Sequence, residues 1–404
     1  MGLRLIPILA VAAAACGCGS APADVDEADG NQPRLVRNAT AEFDRFLTDP
    51  SGKRKRWIRR HYFQIRGYSR FFEDEAMPWR PPPAFFYKDL YAIYASSHSR
   101  LLAKHPEWRL RDALGRPLYI PYECTGSGCP QYAADIGNPS WRNHWIAQAK
   151  RTFARSRRKD PRGRGYVGIF VDDVNLELHV SHGDASPASP LDPRTGSTID
   201  EQAWQVYMVE FLEQIRRAFP RVQIMHNSLW WLSHSDPEVR RQNEAADWIE
   251  LERGFNDSGI VAGDGQYGYE TLLEHIDWLH GLGKRVLLGP ELETVAEARY
   301  ELANYFLVRS GRDAIESDFR ADPPGVGGSG YWRGWQVDPG PATGPRRELA
   351  NGLWRRDFAR GAAVVNPPGG RTATVSFDSP HTNLAGETAL SFALQARSGD
   401  VYVR

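Results

Sequence analysis

Carboxylates that directly follow short apolar runs are the residues of this sequence with the clearest chemical potential. The best example is Gly168-Ile-Phe-Val-Asp-Asp173, in which a β-branched and aromatic run of strand type ends in two acids. Carboxyl groups transfer protons and attack electrophilic carbon, so a pair of them can serve as general acid, general base or nucleophile. Adjacent aspartates are also frequent in turns and helix caps, so a catalytic interpretation requires a partner elsewhere in the chain.

The alternation of side chains along a strand separates the two aspartates. Successive side chains point to opposite faces, so Asp173 shares one face with Ile169 and Val171, whereas Asp172 shares the other with Phe170. If helices cover the apolar face, Asp172 points away from them at the carboxyl end of the strand, where parallel α/β folds place their active sites. Asp172 is therefore the catalytic candidate, and Asp173 is expected to support the neighbouring loop or helix.

Other predicted strands also end in polar side chains on the face opposite their apolar residues. These strand-end residues are Asp135, Asn227, Glu252 and Glu291, with Arg66 on the inward face of the first predicted strand and Glu250 two positions before Glu252. In a barrel of parallel strands such ends meet at one rim. A protonated and an ionised carboxyl group on separate strand ends are what hydrolysis of a glycosidic bond requires. Barrels host many other chemistries, so this pattern alone indicates a barrel enzyme.

The elements that would position these residues are alternating strands and helices. Strands are predicted at 61–68, 84–88, 131–136, 166–171, 222–227, 247–252, 285–288 and 313–319, and helices at 139–157, 200–219, 269–282 and 294–309. Seven or eight βα units of this kind predict an α/β fold of the (β/α)8 TIM-barrel type. A doubly wound sheet is the alternative, but no glycine-rich phosphate loop follows the first predicted strand.

The N-terminus has the features of an export signal. A short basic start is followed by an apolar run over residues 5–15, which is too short to span a bilayer and ends at Ala-Cys16-Gly-Cys18. Small residues before a cysteine resemble the lipobox of bacterial lipoproteins, which implies cleavage, lipidation of Cys18 or Cys16, and membrane tethering outside the cytoplasm. An ordinary secretory signal is the alternative.

Composition divides the rest of the chain into three further segments. Residues 1–18 form the predicted signal peptide, 19–55 a polar and flexible tether, 56–335 the catalytic barrel, and 336–404 a small C-terminal β-rich module. Two further cysteines, Cys124 and Cys129, flank a Gly-Ser-Gly turn. Because an exported protein can retain a disulfide, this spacing predicts a bridge between them. Finger-like metal-ligand spacing is missing around them, which disfavours a metal site.

The charge balance and the aromatic content constrain the partners. The 404 residues contain 50 basic and 50 acidic side chains, so the sequence gives no support for nucleic-acid binding. Thirteen tryptophans are compatible with stacking on sugar rings and equally with a well-packed core. Trp230 and Trp231 are interpreted as a sugar platform, with core or lid packing as the alternative. No cofactor is predicted, and the oligomeric state is not indicated.

Two segments carry a family resemblance. Tyr132-Ala-Ala-Asp-Ile-Gly-Asn-Pro-Ser-Trp-Arg142 and Gly168-Ile-Phe-Val-Asp-Asp-Val-Asn175 are similar to segments of bacterial glycoside hydrolases grouped as hypothetical glycosyl hydrolase family 15. The resemblance implies a (β/α)8 barrel that acts on glycosidic bonds of a carbohydrate, with Asp172 as nucleophile or base. It implies Glu252 as general acid, with Glu250 and Glu291 as rivals. Residues expected to bind substrate are Asp135, Asn227, Glu291, Arg66 and Trp230.

Two alternative functions remain open at this stage. A barrel that has lost catalysis would be a polysaccharide-binding lipoprotein. A metal-dependent hydrolase would draw its ligands from Asp172, Asp173, His179, His182 and Asp184, which lie within a short span. These histidines lack the HxH or HExxH spacing typical of metal sites, so the prediction is an enzyme without a metal.

Overall fold

The computed structural model describes residues 31–39, 51–67, 79–96, 98–125, 128–159, 165–184, 186–320, 324, 326–327 and 331–404. The predicted signal peptide and both candidate lipidation sites, Cys16 and Cys18, lie outside these residues. None of the helices within the described ranges has the length and apolar character needed to cross a membrane.

Strands and helices alternate through most of the described chain. The strands are β1 (Leu35–Ala39), β2 (Gln64–Gly67), β3 (Ala84–Asp89), β4 (Ala92–Tyr94), β5 (Gln131–Ala133), β6 (Tyr166–Val174), β7 (Gln223–Ser228), β8 (Trp248–Glu252), β9 (Arg285–Gly289), β10 (Ala314–Glu316), β11 (Val326–Gly327), β12 (Tyr331–Trp332), β13 (Arg347–Glu348), β14 (Trp354–Phe358), β15 (Gly361–Asn366), β16 (Ala373–Thr382), β17 (Thr388–Leu394) and β18 (Ser398–Val403). The helices are α1 (Gly52–His61), α2 (Ser99–Lys104), α3 (Pro139–Lys159), α4 (Glu201–Ala218), α5 (Pro237–Glu244), α6 (Tyr269–Gly281) and α7 (Val295–Val308).

Eight parallel strands close into a barrel in the order β1-β10-β9-β8-β7-β6-β3-β2. The predicted (β/α)8 TIM-barrel fold is therefore confirmed. Side chains follow the predicted alternation: Phe170 packs with other inward residues of the barrel, whereas Ile169 and Val171 belong to the larger core under the helices. The inward layer consists of Val36, Phe85, Phe170, Met225, Trp248, Leu287 and Ala314. These side chains fill the barrel below its mouth. Burial of each large apolar side chain contributes about 1.5–3 kcal/mol to the stability of the fold.

Two strand predictions were wrong, and they compensate for each other. The segment predicted as strand 131–136 contains β5, which pairs antiparallel with β4 in a separate two-stranded sheet outside the barrel. The missing barrel strand is β1, which lies within the predicted tether 19–55 and pairs with β2 and β10. Leu35 and Val36 are apolar and buried, but two polar residues follow them, so the apolar run is too short to be recognised by periodicity. The predicted barrel boundary at residue 56 is therefore too late.

The four long helices begin and end close to their predicted positions. Capping explains this agreement, because the residues that start a helix are local signals. Asp200 accepts a hydrogen bond from the backbone N–H of Ala203 at the start of α4. Thr294 and Glu297 form a reciprocal capping box at the start of α7.

The C-terminal segment forms a six-stranded antiparallel sheet in the order β13-β14-β15-β18-β16-β17, which confirms the predicted β-rich module. It packs against α7, where Arg299 binds Asp400 of β18 and Arg356 of β14 donates to carbonyl oxygens at the C-terminal end of the helix. Arg397, in the turn between β17 and β18, donates at 2.8 Å to the carbonyl oxygen of Asp257 in the barrel. The sheet thus holds the loop that follows β8.

The long connection between β3 and β6 carries the predicted disulfide. The sulfur atoms of Cys124 and Cys129 are 2.04 Å apart, so the predicted bridge is confirmed. The bridge lies in the same connection as β4, β5 and α3.

Candidate active site

A cavity of about 250 Å³ opens at the mouth of the barrel, at the carboxyl ends of its strands. It collects most of the predicted site residues from four barrel strands and one loop. Those that line it are Arg66 of β2, Asp172 of β6, Asn227 of β7, Glu250 and Glu252 of β8, and Glu291 after β9. The alternation of side chains along these barrel strands therefore predicted correctly which residues face inward.

Asn227 bridges the two predicted catalytic carboxylates. Its side-chain nitrogen donates to Asp172 Oδ1 and to Glu252 Oε2, each at 2.9 Å. Because both oxygens contact the same nitrogen, they lie at most twice that distance, about 5.8 Å, apart. Two acceptors on one nitrogen also determine which end of the amide faces the carboxylates. This upper limit for the two contacting oxygens is compatible with the roughly 5–5.5 Å separation of carboxyl groups in retaining glycosidases and lies below the 6.5–9.5 Å of inverting ones.

Tyr87 of β3 is a contact of Asp172 that the sequence did not reveal. The Tyr87 side chain forms a hydrogen bond with the Asp172 carboxylate. Burial, followed by the charges of Asp172 and Asp89, raises the pKa of the Tyr87 hydroxyl far above its ordinary range. The phenol therefore stays protonated and donates to the carboxylate. Together with Asn227, it orients Asp172 from two sides.

Asp173 does not point to the helix side as expected. The register of β6 against β7 shifts between Val171 and Val174, and Asp173 has a φ of 56°, which turns it out of the strand alternation. Its side chain is hydrogen-bonded to that of Asp89. Burial and the charge of Asp172 raise the pKa of Asp173 to about 7, and burial also raises that of Asp89. The two carboxyls therefore hold a proton between them at neutral pH.

Arg66 forms the floor of the cavity. Its guanidinium makes ion pairs with Glu250 and Glu316, both buried, and donates through Nε to Asn38 Oδ1 at 2.7 Å. The guanidinium carbon also lies 4.4 Å from the centre of the Phe170 ring. Burial raises the pKa of Glu250 to about 7, while Arg66 opposes the shift and the charges of nearby acids add to it. Arg66 and Glu250 thus form an ion pair in the cavity that Asp172 and Glu252 also line.

Glu291 lies at the rim of the cavity between two arginines. Its carboxylate pairs with Arg320, and its second oxygen lies 3.8 Å from Arg253 Nε. A carboxylate that already contacts two arginines at the rim suits a binding role. Among the three rival acids, Glu252 has the most direct relation to Asp172.

Asp135 is not brought to this rim. It follows β5, which is not a barrel strand, and it does not line the cavity. Its buried carboxylate instead accepts both from Arg194, at 2.9 Å, and from the backbone N–H of Gly137, at 3.0 Å. Asp135 therefore connects the start of α3 to the loop before α4. The prediction that Asp135 lies at the rim of the barrel was wrong. Alternation of side chains identifies a strand but not the sheet to which the strand belongs.

A second cavity of about 200 Å³ adjoins the first and shares Asn227 and Glu252 with it. Trp230 lines this second cavity, but the side chain is only 4% exposed and packs edge-on against Trp231, with ring centres 5.7 Å apart. The structure thus places Trp230 mainly in the core, which was the alternative interpretation. Trp231, which is less buried, also lines the cavity.

Other lining residues were not predicted from the sequence, among them Asn38, Glu316 and Asp318. Asn38 was missed with its strand β1. Glu316 and Asp318 lie in the predicted eighth strand, two positions apart and in phase with inward-facing Ala314, so alternation contained the signal for both. Their placement completes an acidic ring around Arg66.

The turn that follows Glu252 is held from below by α7. Both Arg253 and Gly254 have left-handed backbone angles, with φ of 63° and 52°. The buried Glu301 carboxylate accepts from the backbone N–H groups of Phe255 and Asn256, each at 3.1 Å. A Cβ atom at Gly254 would collide with this carboxylate, so only glycine fits the turn. Burial raises the pKa of Glu301 to about 8.

Glu301→Gln is expected to flatten the dependence of stability on pH. The folded-state pKa of Glu301 lies above its unfolded value, so its contribution is complete below about pH 4.5 and is lost as pH rises to about 8. Each unit of such a shift corresponds to about 1.4 kcal/mol in the free energy of unfolding. Urea unfolding at several pH values between 5 and 8 should therefore show a smaller decline for the variant. Glu274→Gln, at an exposed position, is the control, and parallel curves for Glu301→Gln and wild type would contradict the assignment.

Within the described ranges, no three His, Cys, Asp or Glu side chains are arranged to hold a metal ion. Of the rival metal ligands, His182 lies 3.8 Å from Asp112, and Asp184 accepts from the backbone N–H of Ser186. Asp172 and Asp173 instead make the contacts described above.

Comparisons with known proteins give structural neighbours only. No protein-family model matches the chain, and no curated protein matches it. Among solved structures, the glycoside hydrolase domain of PelA from Pseudomonas aeruginosa is 14% identical, with a TM-score of 0.40, over 70% of this chain and 94% of that one. An α-galactosidase from Thermus thermophilus is 14% identical, with a TM-score of 0.41, over 80% and 65% of the two chains. An α-amylase from Geobacillus thermoleovorans is 10% identical, with a TM-score of 0.42, over 92% and 98%.

Identities of 10–14% and TM-scores of 0.40–0.42 are too low to assign the activity of these neighbours to this chain. The fold and site define a (β/α)8-barrel protein with a carboxylate-rich mouth and a C-terminal antiparallel sheet.

Proposed function

We propose that this protein is a retaining glycoside hydrolase that uses Asp172 and Glu252. The observation that carries the proposal is the single amide of Asn227, which holds one oxygen of each carboxylate at most about 5.8 Å apart at the open mouth of the barrel. That spacing suits direct attack by one carboxylate on the anomeric carbon while the other transfers a proton. Asp172 is the better nucleophile of the two, because Tyr87 and Asn227 orient it from both sides.

The reaction proceeds in two displacements. Asp172 attacks the anomeric carbon as Glu252, in its protonated form, gives its proton to the departing glycosidic oxygen, so the sugar becomes an ester of Asp172. Glu252, now ionised, removes a proton from water, whose oxygen attacks the same carbon and releases Asp172. Two inversions leave the configuration of the sugar unchanged. The acids around the cavity stabilise the positive charge that develops on the ring.

The substrate proposed is a polysaccharide or oligosaccharide outside the cytoplasm. The lipobox-like segment ending at Cys16 and Cys18 supports export and anchoring by a lipid, with the barrel facing the periplasm or the cell exterior. A barrel that only binds polysaccharide is the second candidate. Hydrolysis distinguishes the two directly.

Glu252→Gln is expected to lose proton transfer but to keep the nucleophile. A panel of glycosyl fluorides of both anomeric configurations first identifies the sugar that the wild type hydrolyses. With the matching oligosaccharide, the variant should be about 10²–10⁴-fold slower, because the leaving oxygen is no longer protonated. Fluoride departs without a proton, so added azide should accelerate turnover of the glycosyl fluoride by replacing water at the second step. Nuclear magnetic resonance should then show a glycosyl azide with the configuration of the substrate.

Three outcomes would argue against the proposal. A glycosyl azide of inverted configuration from Glu252→Gln would contradict the assigned role of Glu252. If wild type binds glycans but hydrolyses neither fluorides nor polysaccharides, the binding function is favoured instead. Activity that is lost on exhaustive chelation and restored by a divalent cation would favour a metal-dependent hydrolase.

A further inference from the structure

The two cavities at the barrel mouth meet at one shared wall. Asn227 and Glu252 line both of them, whereas Asp172 lines the first cavity and not the second. A nucleophile must contact the sugar that is attacked, and a general acid must contact the oxygen that joins this sugar to the leaving group. The attacked sugar therefore lies in the first cavity. The position of Glu252 between the cavities puts the leaving group in the second.

The second cavity has a different chemical character from the first. Six acidic residues line the first cavity, namely Asp172, Glu250, Glu252, Glu291, Glu316 and Asp318. The second has three acids, Asp173, Glu252 and Asp257, together with Arg253. It also presents the indole of Trp231 beside the neutral polar side chains of Asn175 and Ser228. A flat aromatic face next to amide and hydroxyl groups fits a neutral, polyhydroxylated ring, which has apolar C–H faces and polar edges.

Trp231 is held in place as a rigid platform. Its indole N–H donates to Glu177 Oε1 at 2.9 Å, and its ring packs against those of Trp230 and Tyr267, with centres 5.7 and 5.5 Å away. Tyr267 is 44% exposed, so the aromatic surface continues from the cavity toward solvent. Such a platform loses little side-chain freedom when a ligand stacks on it.

Ser228 provides a second, independent sign of a ligand. The residue is 7% exposed and lines the second cavity, and its hydroxyl oxygen has no hydrogen-bond partner within the part of the chain that the structure describes. A buried hydroxyl without a partner costs about 1–3 kcal/mol, so a group that satisfies it is expected to bind there. A sugar hydroxyl meets this requirement.

We propose that the second cavity is a binding site for the leaving-group sugar, with Trp231 as its stacking platform and Ser228 as a hydrogen-bonding group. This inference rests on the proposed glycosidase function. It makes the substrate a chain of at least two sugar units, and it gives the protein a site for an acceptor sugar. Such an acceptor attacks the Asp172 ester in place of water: Glu252 takes the proton of its hydroxyl, a new glycosidic bond forms, and the bond to Asp172 breaks.

Trp231→Ala tests the site through two substrates that share the same attacked sugar. For the oligosaccharide, kcat/KM is expected to fall at least about tenfold, because the leaving sugar loses its platform. For the glycosyl fluoride, whose leaving group is a single atom, kcat/KM should remain unchanged. Trp231→Phe keeps an aromatic face and should recover most of the loss. Ser228→Ala should lower the oligosaccharide rate selectively as well, whereas Ser233→Ala, on an exposed position of the same loop, should change neither rate.

An acceptor experiment provides a readout that is independent of hydrolysis. A 2-deoxy-2-fluoro glycosyl fluoride traps the Asp172 ester, and the methyl glycoside of the same sugar should accelerate its release in the wild type but not in Trp231→Ala. Equal effects of Trp231→Ala on fluoride and oligosaccharide, or full acceleration in the variant, would overturn the site. If the wild type forms no ester and hydrolyses no fluoride, the proposed function itself fails, which is a different result.

Discussion

Asp172→Asn is expected to abolish hydrolysis of every substrate, with a loss in kcat on the order of 10⁴-fold or more. The amide lacks the negative charge that attacks the anomeric carbon, yet it has the size of the carboxylate and can still contact Asn227 and Tyr87. Binding of the oligosaccharide should therefore survive. Steady-state kinetics on the glycosyl fluoride and calorimetric titration with the oligosaccharide measure the two properties separately.

A smaller substitution at the same position separates the nucleophile from the acid. Asp172→Ala leaves space in which azide can attack the anomeric carbon in a single displacement, so the glycosyl azide should have the configuration opposite to that of the substrate. Glu252→Gln should give the retained product under the same conditions. Asp264→Asn, at an exposed carboxylate that lines neither cavity, is the control. Retained product from Asp172→Ala, or near-normal hydrolysis by Asp172→Asn, would refute the assignment.

The sequence was sufficient to predict the faces of β6, β7 and β8. Each of these strands contains alternating inward and outward residues, and the period of two determines the side to which Asp172, Asn227 and Glu252 point. The break in this rule is Asp173, where a backbone with positive φ turns the side chain toward Asp89. A change of one backbone angle has no sequence signature of its own, so this contact was not predictable from alternation.

Local sequence patterns do not predict which sheet a strand joins or which strands close the barrel. Asp135 follows a strand with a good pattern, but β5 pairs with β4 because of contacts within a long loop. Conversely, β1 has a weak pattern and becomes a barrel strand through its pairing with β2 and β10. Arg66 was correctly assigned to the inward face, whereas its partner Glu316 lies 250 residues away and meets it only when the barrel closes.

Arg66→Met is expected to destabilise the fold by about 3–5 kcal/mol near pH 8 and by much less near pH 5. The substitution leaves the buried carboxyls of Glu250 and Glu316 without the cation that binds both, and removal of one partner from such a network is costly. Burial already raises the pKa of Glu250 to about 7 and that of Glu316 as well. Without Arg66 both pKa values rise further. At low pH the two carboxyls are then neutral, and their burial costs little.

The direction of this pH dependence is what distinguishes the network from simple loss of packing. A group whose folded pKa is raised above its unfolded value loses stability as pH increases, so the penalty in Arg66→Met must grow between about pH 5 and 8. Adding Glu250→Gln and Glu316→Gln to the variant should remove most of that growth, because no buried charge then remains. Arg240→Met, which breaks an exposed pair with Glu244, should cost at most about 1 kcal/mol. Urea unfolding at both pH values gives the free energy of unfolding of all three variants. An equal loss of this free energy in Arg66→Met at pH 5 and pH 8 would show that the arginine contributes through packing over Phe170 rather than through charge.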